Sequence, residues 1–279
     1  MAGLGTIMDL NGTTIFVADS GEPSLPVLLC LHSLWFDHSM FDRLMVEAKG
    51  CYRVVRPDFR GQGRSGRPAG RAIAIETCAG DVAAVCDTLA LRDIHLIGQS
   101  MGGDVAFQLM LRRPELARSL TLMGSSARAE PEDQRLWAEK WIAESRTLGI
   151  AGERTGFLME ALFGRTTLAD PSKQPMLRHW RAFMERVGVS GLAPMIGVVE
   201  RPGVLHALPS IDAPTLVLSG MEDRVRPPSW SEEVVAHMPN ATLVRLGACG
   251  HSPILEVPDQ VITLLFAHVD HAEAAGANA

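Results

Sequence analysis

Six apolar runs of strand length recur along the chain: Val27–Leu31, Tyr52–Arg56, Ile94–Gly98, Leu120–Met123, Thr215–Ser219 and Thr242–Leu246. Segments with helical spacing lie between or after them, at Phe41–Ala48, Ile75–Leu89, Asp104–Arg113, Trp230–His237 and Asp259–His268. A strand, a helix and another strand in succession require a crossover, and crossovers bring strands together in parallel with helices over both faces. The runs do not alternate with polar residues, as expected of strands covered on both sides. The expected class is therefore α/β, with a mostly parallel, helix-flanked sheet. Ahead of it, Thr6–Leu10 and Thr13–Ala18 meet at Asn11-Gly12, a strong hairpin signal.

One interval breaks the rhythm. From about Ala127 to Leu208 no strand pattern appears, and helical stretches fall at Arg135–Arg146, Glu153–Phe163 and Met176–Val187. Gly149, Gly164, Pro171, Gly188 and Pro194 punctuate them. We divide the chain into a core of residues 1–126 and 209–271, a helical cap inserted at 127–208, and a small, polar tail at 272–279 that is expected to fray.

The 279 residues carry a formal charge of −6, which argues against nucleic acid or an anionic membrane as partner, since either calls for a basic stripe. No apolar run approaches the ~20 residues of a membrane span. Met1 to Asn11 has neither the basic start nor the apolar stretch of a secretory signal, so a cytoplasmic setting is expected. Five cysteines without a C-x-x-C pair fit a reduced compartment, and no Cys/His cluster has zinc spacing. We expect no metal and no organic cofactor; homo-oligomerisation is left open.

The chemistry centres on Ile94-His95-Leu96-Ile97-Gly98-Gln99-Ser100-Met101-Gly102-Gly103, an apolar strand running through G-x-S-x-G into a helix. That motif alone is common by chance, but at so sharp a strand-to-helix turn the serine is held strained with its hydroxyl exposed. A serine needs a base to become a nucleophile. His251 is the histidine placed for it, on a loop after the last expected strand and before the last helix. The base needs a carboxylate to fix its tautomer. Asp223 follows the strand Thr215–Ser219 closely and is the first choice, with Glu222 as fallback. Cys249 reads as a small apolar filler.

The order Ser100, Asp223, His251 and the strand–helix pattern make the chain resemble an α/β-hydrolase fold protein over essentially its whole length, with residues 127–208 matching the family's cap. The resemblance implies an oxyanion hole from the backbone N–H groups of Met101 and Leu34. The turn reads His32-Ser33-Leu34-Trp35, so Ser33 departs from the family's usual His-Gly. Asp58-Phe59-Arg60-Gly61-Gln62-Gly63-Arg64-Ser65 is similar to the family's D-x-R-G-x-G-x-S loop and reads as scaffold. A serine at position 100 sets aside the dehalogenase and epoxide hydrolase branches, which use Asp there. Among serine branches, His32-Ser33-Leu34 with Asp37, and Gly98 to Gly103, look most like 3-oxoadipate enol-lactonases and related lactone hydrolases. Such a substrate carries a carboxylate, for which Arg128, Arg135, Arg178 and Arg181 are candidate cations. Trp35, Trp137, Trp141 and Trp180, with Phe183 and Met184, are candidates for an apolar pocket. The implied partner is a small-molecule ester or lactone. The alternatives are a carbon–carbon bond hydrolase of meta-cleavage type, a broad carboxylesterase, an acyl-homoserine lactonase and a non-catalytic receptor.

Overall fold

A computed structural model describes residues 5–276. Its sheet has eight strands: β1 (Thr6–Leu10), β2 (Thr13–Asp19), β3 (Val27–Leu31), β4 (Arg53–Pro57), β5 (Ile94–Gln99), β6 (Ala117–Met123), β7 (Thr215–Gly220) and β8 (Ala241–Leu246). They lie in the order β1-β2-β4-β3-β5-β6-β7-β8. The opening hairpin is antiparallel and joins β4 antiparallel; every pair from β4 to β8 is parallel. The α/β expectation is met, and each expected strand is present with ends moved by a few residues at most.

Helices α1 (Asp42–Glu47), α2 (Ile75–Thr88) and α3 (Met101–Arg112) follow β3, β4 and β5. Between β6 and β7 come α4 (Glu132–Leu148), α5 (Glu153–Leu162), α6 (Arg165–Ala169), α7 (Gln174–Val187) and α8 (Leu192–Val199). The chain ends with α9 (Pro228–His237), α10 (Pro253–Glu256) and α11 (Pro258–Gly276). The last helix runs well past His268, through part of the stretch 272–279 expected to fray; residues 277–279 lie outside the described residues, as do 1–4 of the stretch Met1–Asn11.

Period-two alternation divides the strands between two cores. Leu28 and Cys30 of β3 face one cluster with Leu216 and Leu218 of β7, residues of α1 and α11, and the helices between β6 and β7. Leu29 and Leu31 face the other, with Val217, α2, α3 and α9. The edge strands β1 and β8 are the partly exposed ones.

Pro194 corrects the sequence reading: it does not interrupt the chain but occupies the first turn of α8, where its missing N–H is no loss. The stretch Pro171–Val199 reaches a mean hydropathy of 1.3 over its most apolar 18 residues, but it is bent at Gly188 into α7 and α8.

Because β4 and β5 flank β3 on opposite sides, the chain reverses direction across the sheet beside β3. The carboxyl ends of β3 and β5 are in register there, Leu31 opposite Gly98. Ligands bind in α/β sheets at such switch points.

Candidate active site

β5 ends at Gln99 and α3 begins at Met101, so Ser100 alone makes the turn. Its φ of 52° and ψ of −112° are a conformation that non-glycine residues rarely adopt. The surroundings over-determine it. Ser100 donates its N–H to Met123 O at 2.8 Å, and its own carbonyl accepts from Gly103 and Asp104 N–H at 2.8 and 3.1 Å. Gly102 must lack a side chain, because a Cβ there would strike the Leu31 carbonyl and lie 3.0 Å from that of His32.

Three distant segments converge on this turn. His251 Nε2 lies 2.7 Å from Ser100 Oγ, and its Nδ1 lies 2.8 Å from Asp223 Oδ2. Asp223 Oδ1 accepts the N–H groups of Val225 and Arg226, both at 2.8 Å, which fixes the carboxylate plane. The His251 carbonyl accepts from Gln99 Nε2 at 2.6 Å. All three side chains are buried. Glu222, the fallback acid, points elsewhere. It accepts Thr166 N–H and Oγ1–H at 2.8 and 2.6 Å and so ties its turn to α6.

Glu256 was not singled out from the sequence. Its Oε2 accepts from Gly164 N, Thr167 Oγ1 and Gly250 N, and its Oε1 from Ser252 N, at 2.7 to 3.1 Å. It thus holds both neighbours of His251 and the α5–α6 turn together. An acid inside the apolar run Pro253-Ile254-Leu255-Glu256-Val257 was the available signal. Burial pushes the Cys249 thiol up, in keeping with a filler role.

Leu34 follows β3, beside Ser100 on a shared cavity, and Met101 opens α3. In this turn the N–H of Trp35 donates to Gln62 Oε1 at 3.2 Å and that of Phe36 to Ser33 O at 3.3 Å. Among the described residues, the N–H of Leu34 has no such acceptor. Ser33 donates its N–H to Met40 Sδ at 3.3 Å, and its buried Oγ has no partner among the described residues. His32 beneath the turn donates Nδ1–H to Ser33 O at 2.8 Å and accepts Phe59 N–H on Nε2 at 2.9 Å. The loop after β4 is structural: Asp58 accepts from His38 N and Nδ1 and from Arg64 N, while Arg60 forks onto Asp81. Burial alone would raise the Asp58 carboxyl, but the His38 hydrogen bond and the nearby imidazoles hold it below the usual value. Asp37, His38 and Asp58 offer ligand-type atoms within 4.8 Å of one another, but Asp58 is committed to these bonds and Asp37 to Ser39.

The cavity holds about 640 Å³, with Ser100, His251, Leu34, Trp35 and Trp137 in its wall. Trp35 has a φ of 69° and is held by the Gln62 bond. Three candidates for substrate contact are displaced. Trp141 stands behind the wall, edge-on to Trp35 at 6.5 Å and stacked on Trp137 at 6.4 Å. Trp180 packs edge-on against Phe36 at 4.7 Å in the core. Arg135 pairs with Glu139 at 2.6 Å on an exposed helix face. Arg128 pairs with Glu233 at 3.0 Å, and neither Arg178 nor Arg181 reaches the cavity wall. Phe183 and Met184 likewise belong to the core. The arginines that line the cavity are Arg224 and Arg226. Arg226 is spoken for by Asp104, whereas Arg224 has no acidic partner among the described residues. Glu130, Asp133 and Glu160 line the same cavity.

A strained serine between strand and helix, with His and Asp brought to it from later loops of the same sheet, defines the α/β class of hydrolases. The family model for the alpha/beta hydrolase fold matches residues 26–258, and the chain belongs to that family. The 2-hydroxymuconate semialdehyde hydrolase of Pseudomonas sp. (strain CF600) is 30% identical over 241 residues, covering 83% of this chain and 81% of that protein. A thermophilic esterase from Thermogutta terrifontis superposes with a TM-score of 0.84 at 27% identity, over 97% of this chain and 99% of that one. The enol-lactonase from Burkholderia xenovorans LB400 superposes with a TM-score of 0.84 at 24% identity, over 95% and 100%, a likeness of fold.

Proposed function

We propose that the protein is a serine hydrolase acting on a small-molecule carboxylic ester or lactone. The observation that carries this reading is the continuous line of hydrogen bonds from Asp223 through His251 to Ser100 Oγ, opening on a largely apolar cavity. His251 takes the Ser100 proton while Ser100 Oγ attacks the carbonyl carbon, and Asp223 stabilises the imidazolium. The oxyanion is received by the N–H groups of Met101 and Leu34, each donor of this kind contributing ~2.7–4 kcal/mol to the transition state. His251 then protonates the leaving oxygen. In the second half it draws a proton from water, which releases the acid and restores Ser100. A lactone gives one product, because the leaving oxygen stays attached to the acyl chain.

Within this class we infer an enol-lactonase-like substrate, with its carboxylate presented to Arg224 rather than to the arginines of α4 and α7. The 30% identical relative keeps carbon–carbon bond cleavage as the second reading. The test is hydrolysis of 3-oxoadipate enol-lactone, p-nitrophenyl butyrate and a meta-cleavage dienol by wild type, Ser100→Ala and Arg224→Ala. Ser100→Ala is expected to lose all turnover with an unchanged circular dichroism spectrum; retained turnover refutes the nucleophile. Arg224→Ala is expected to raise KM for the lactone about tenfold, ~1.4 kcal/mol, and to leave the ester alone. Ester turnover without lactone turnover discards the lactonase reading, and efficient dienol cleavage replaces it with the second.

A further inference from the structure

Four buried or nearly buried charges meet at the cavity wall, which Glu130 and Arg226 help to line. Asp104, in the first turn of α3, receives both ends of the Arg226 guanidinium, Nη1 to Oδ1 at 3.1 Å and Nη2 to Oδ2 at 2.9 Å. Arg201 places its Nε 3.4 Å from Asp104 Oδ2 and donates Nη1–H to Glu130 Oε2 at 2.7 Å. The side chains of Asp104, Arg226 and Arg201 are only 2–3% exposed. Burying ions is expensive, and a well-packed apolar group of the same size generally stabilises a fold at least as well. What the four residues have in common is therefore informative. Asp104 stands four residues after Ser100, Arg226 three after Asp223, and Glu130 and Arg201 stand at the two ends of the segment that carries α4 to α8.

Arg226 joins these segments to the site through its backbone. Its N–H is one of the two donors to Asp223 Oδ1 and its guanidinium is held on Asp104, so one residue spans both contacts. We propose that Arg226 is a positioning residue: the fork on Asp104 locks the Asp223–Arg226 turn to the helix that follows Ser100, so that Asp223 Oδ2 meets His251 Nδ1. Bidentate guanidinium–carboxylate pairs fix orientation as well as distance, which a lysine in the same place does not. This inference rests on the serine-nucleophile reading and adds to it the device that holds the acid.

The test reads the assembly of the site without needing the natural substrate. A fluorophosphonate phosphonylates an activated serine, with loss of fluoride, and its second-order rate on Ser100 is measured alongside kcat and KM for p-nitrophenyl butyrate. The variants are Arg226→Met, the double variant Asp104→Leu/Arg226→Met, and Arg226→Lys. Arg226→Met leaves Arg201 as the one cation between Asp104 and Glu130, a negative charge in excess, and serves as the control for lost stability; the double variant removes both charges together and leaves the Arg201–Glu130 pair. The double variant is expected to unfold cooperatively, to label at least tenfold more slowly, and to lose kcat with KM within twofold. Arg226→Lys, which keeps the charge without the fork, is expected to fall between it and wild type. A purely structural role would leave the labelling rate unchanged in any folded variant. A wild-type rate in the folded double variant, or in folded Arg226→Lys should the double variant not fold, overturns the proposal. Failure of wild type to label, or equal labelling of Ser100→Ala, instead overturns the nucleophile assignment on which it rests.

Discussion

At Gly124, which follows β6, φ is +53°, and a Cβ would lie 2.9 Å from His251 O, 3.2 Å from His251 Nδ1 and 3.3 Å from Asp223 Oδ2. The glycine therefore serves both the backbone and the imidazole. Gly124→Ala is expected to cost ~1–2 kcal/mol through the left-handed conformation alone. It should also displace His251 and lower kcat at least tenfold, with a smaller effect on KM. Urea denaturation and steady-state kinetics measure the two parts separately, and an unchanged kcat would show that the imidazole does not feel the added methyl. Ser100, Asp223 and His251 were legible in the sequence because each follows a recognisable strand in a fixed order. Gly124 follows a strand too, but nothing local says that a histidine 127 positions later will pack on it. Asp104 and Arg226, 122 positions apart, are illegible for the same reason.

At the scale of elements, Glu256 couples the His251 loop to the turn between α5 and α6. Its carboxylate accepts four hydrogen bonds in a site where it is 1% exposed. Glu256→Gln exchanges one acceptor oxygen for an NH₂ that faces donors. Leaving buried groups unsatisfied in this way costs ~1–3 kcal/mol. We expect that loss in the urea midpoint, together with a fall in kcat as the loop loosens; a variant with wild-type midpoint and kcat would remove Glu256 from the account. Long strands and helices were read from their periodicity, whereas α6, α8 and α10, of five, eight and four residues, are too short to show one. The arginines of α4 and α7 illustrate a different limit. Helical spacing says which residues share a face, not which face meets the cavity. Arg224, on the turn after β7, lies in no helix or strand, so no periodicity marks the face it presents.

For the whole molecule, several histidines are buried where protonation is unwelcome. Burial pushes the His32 imidazole below its ordinary value of 6.5, against the pull of Asp58, and its Nε2 must stay unprotonated to accept Phe59 N–H. Burial lowers His95 and His268 as well. Below pH 6.5 the unfolded chain takes up protons that the folded chain refuses, so stability is full above that value and falls as the pH drops beneath it. The urea midpoint is expected to fall between pH 7 and pH 5, and His32→Gln should reduce the slope without abolishing it. Equal slopes in variant and wild type would exclude His32 as a contributor.

The strained turn at Ser100 has a consequence for how the protein comes into being. The serine is separated from the nitrogen that faces it by 151 positions. As the chain is synthesised from its N-terminus, β5 and α3 emerge long before the His251 loop, and the hydroxyl has no base to draw its proton. Under the proposed mechanism, reactivity at Ser100 therefore waits on the arrival of the His251 loop. A reagent that labels this serine would then count only chains in which that loop has closed.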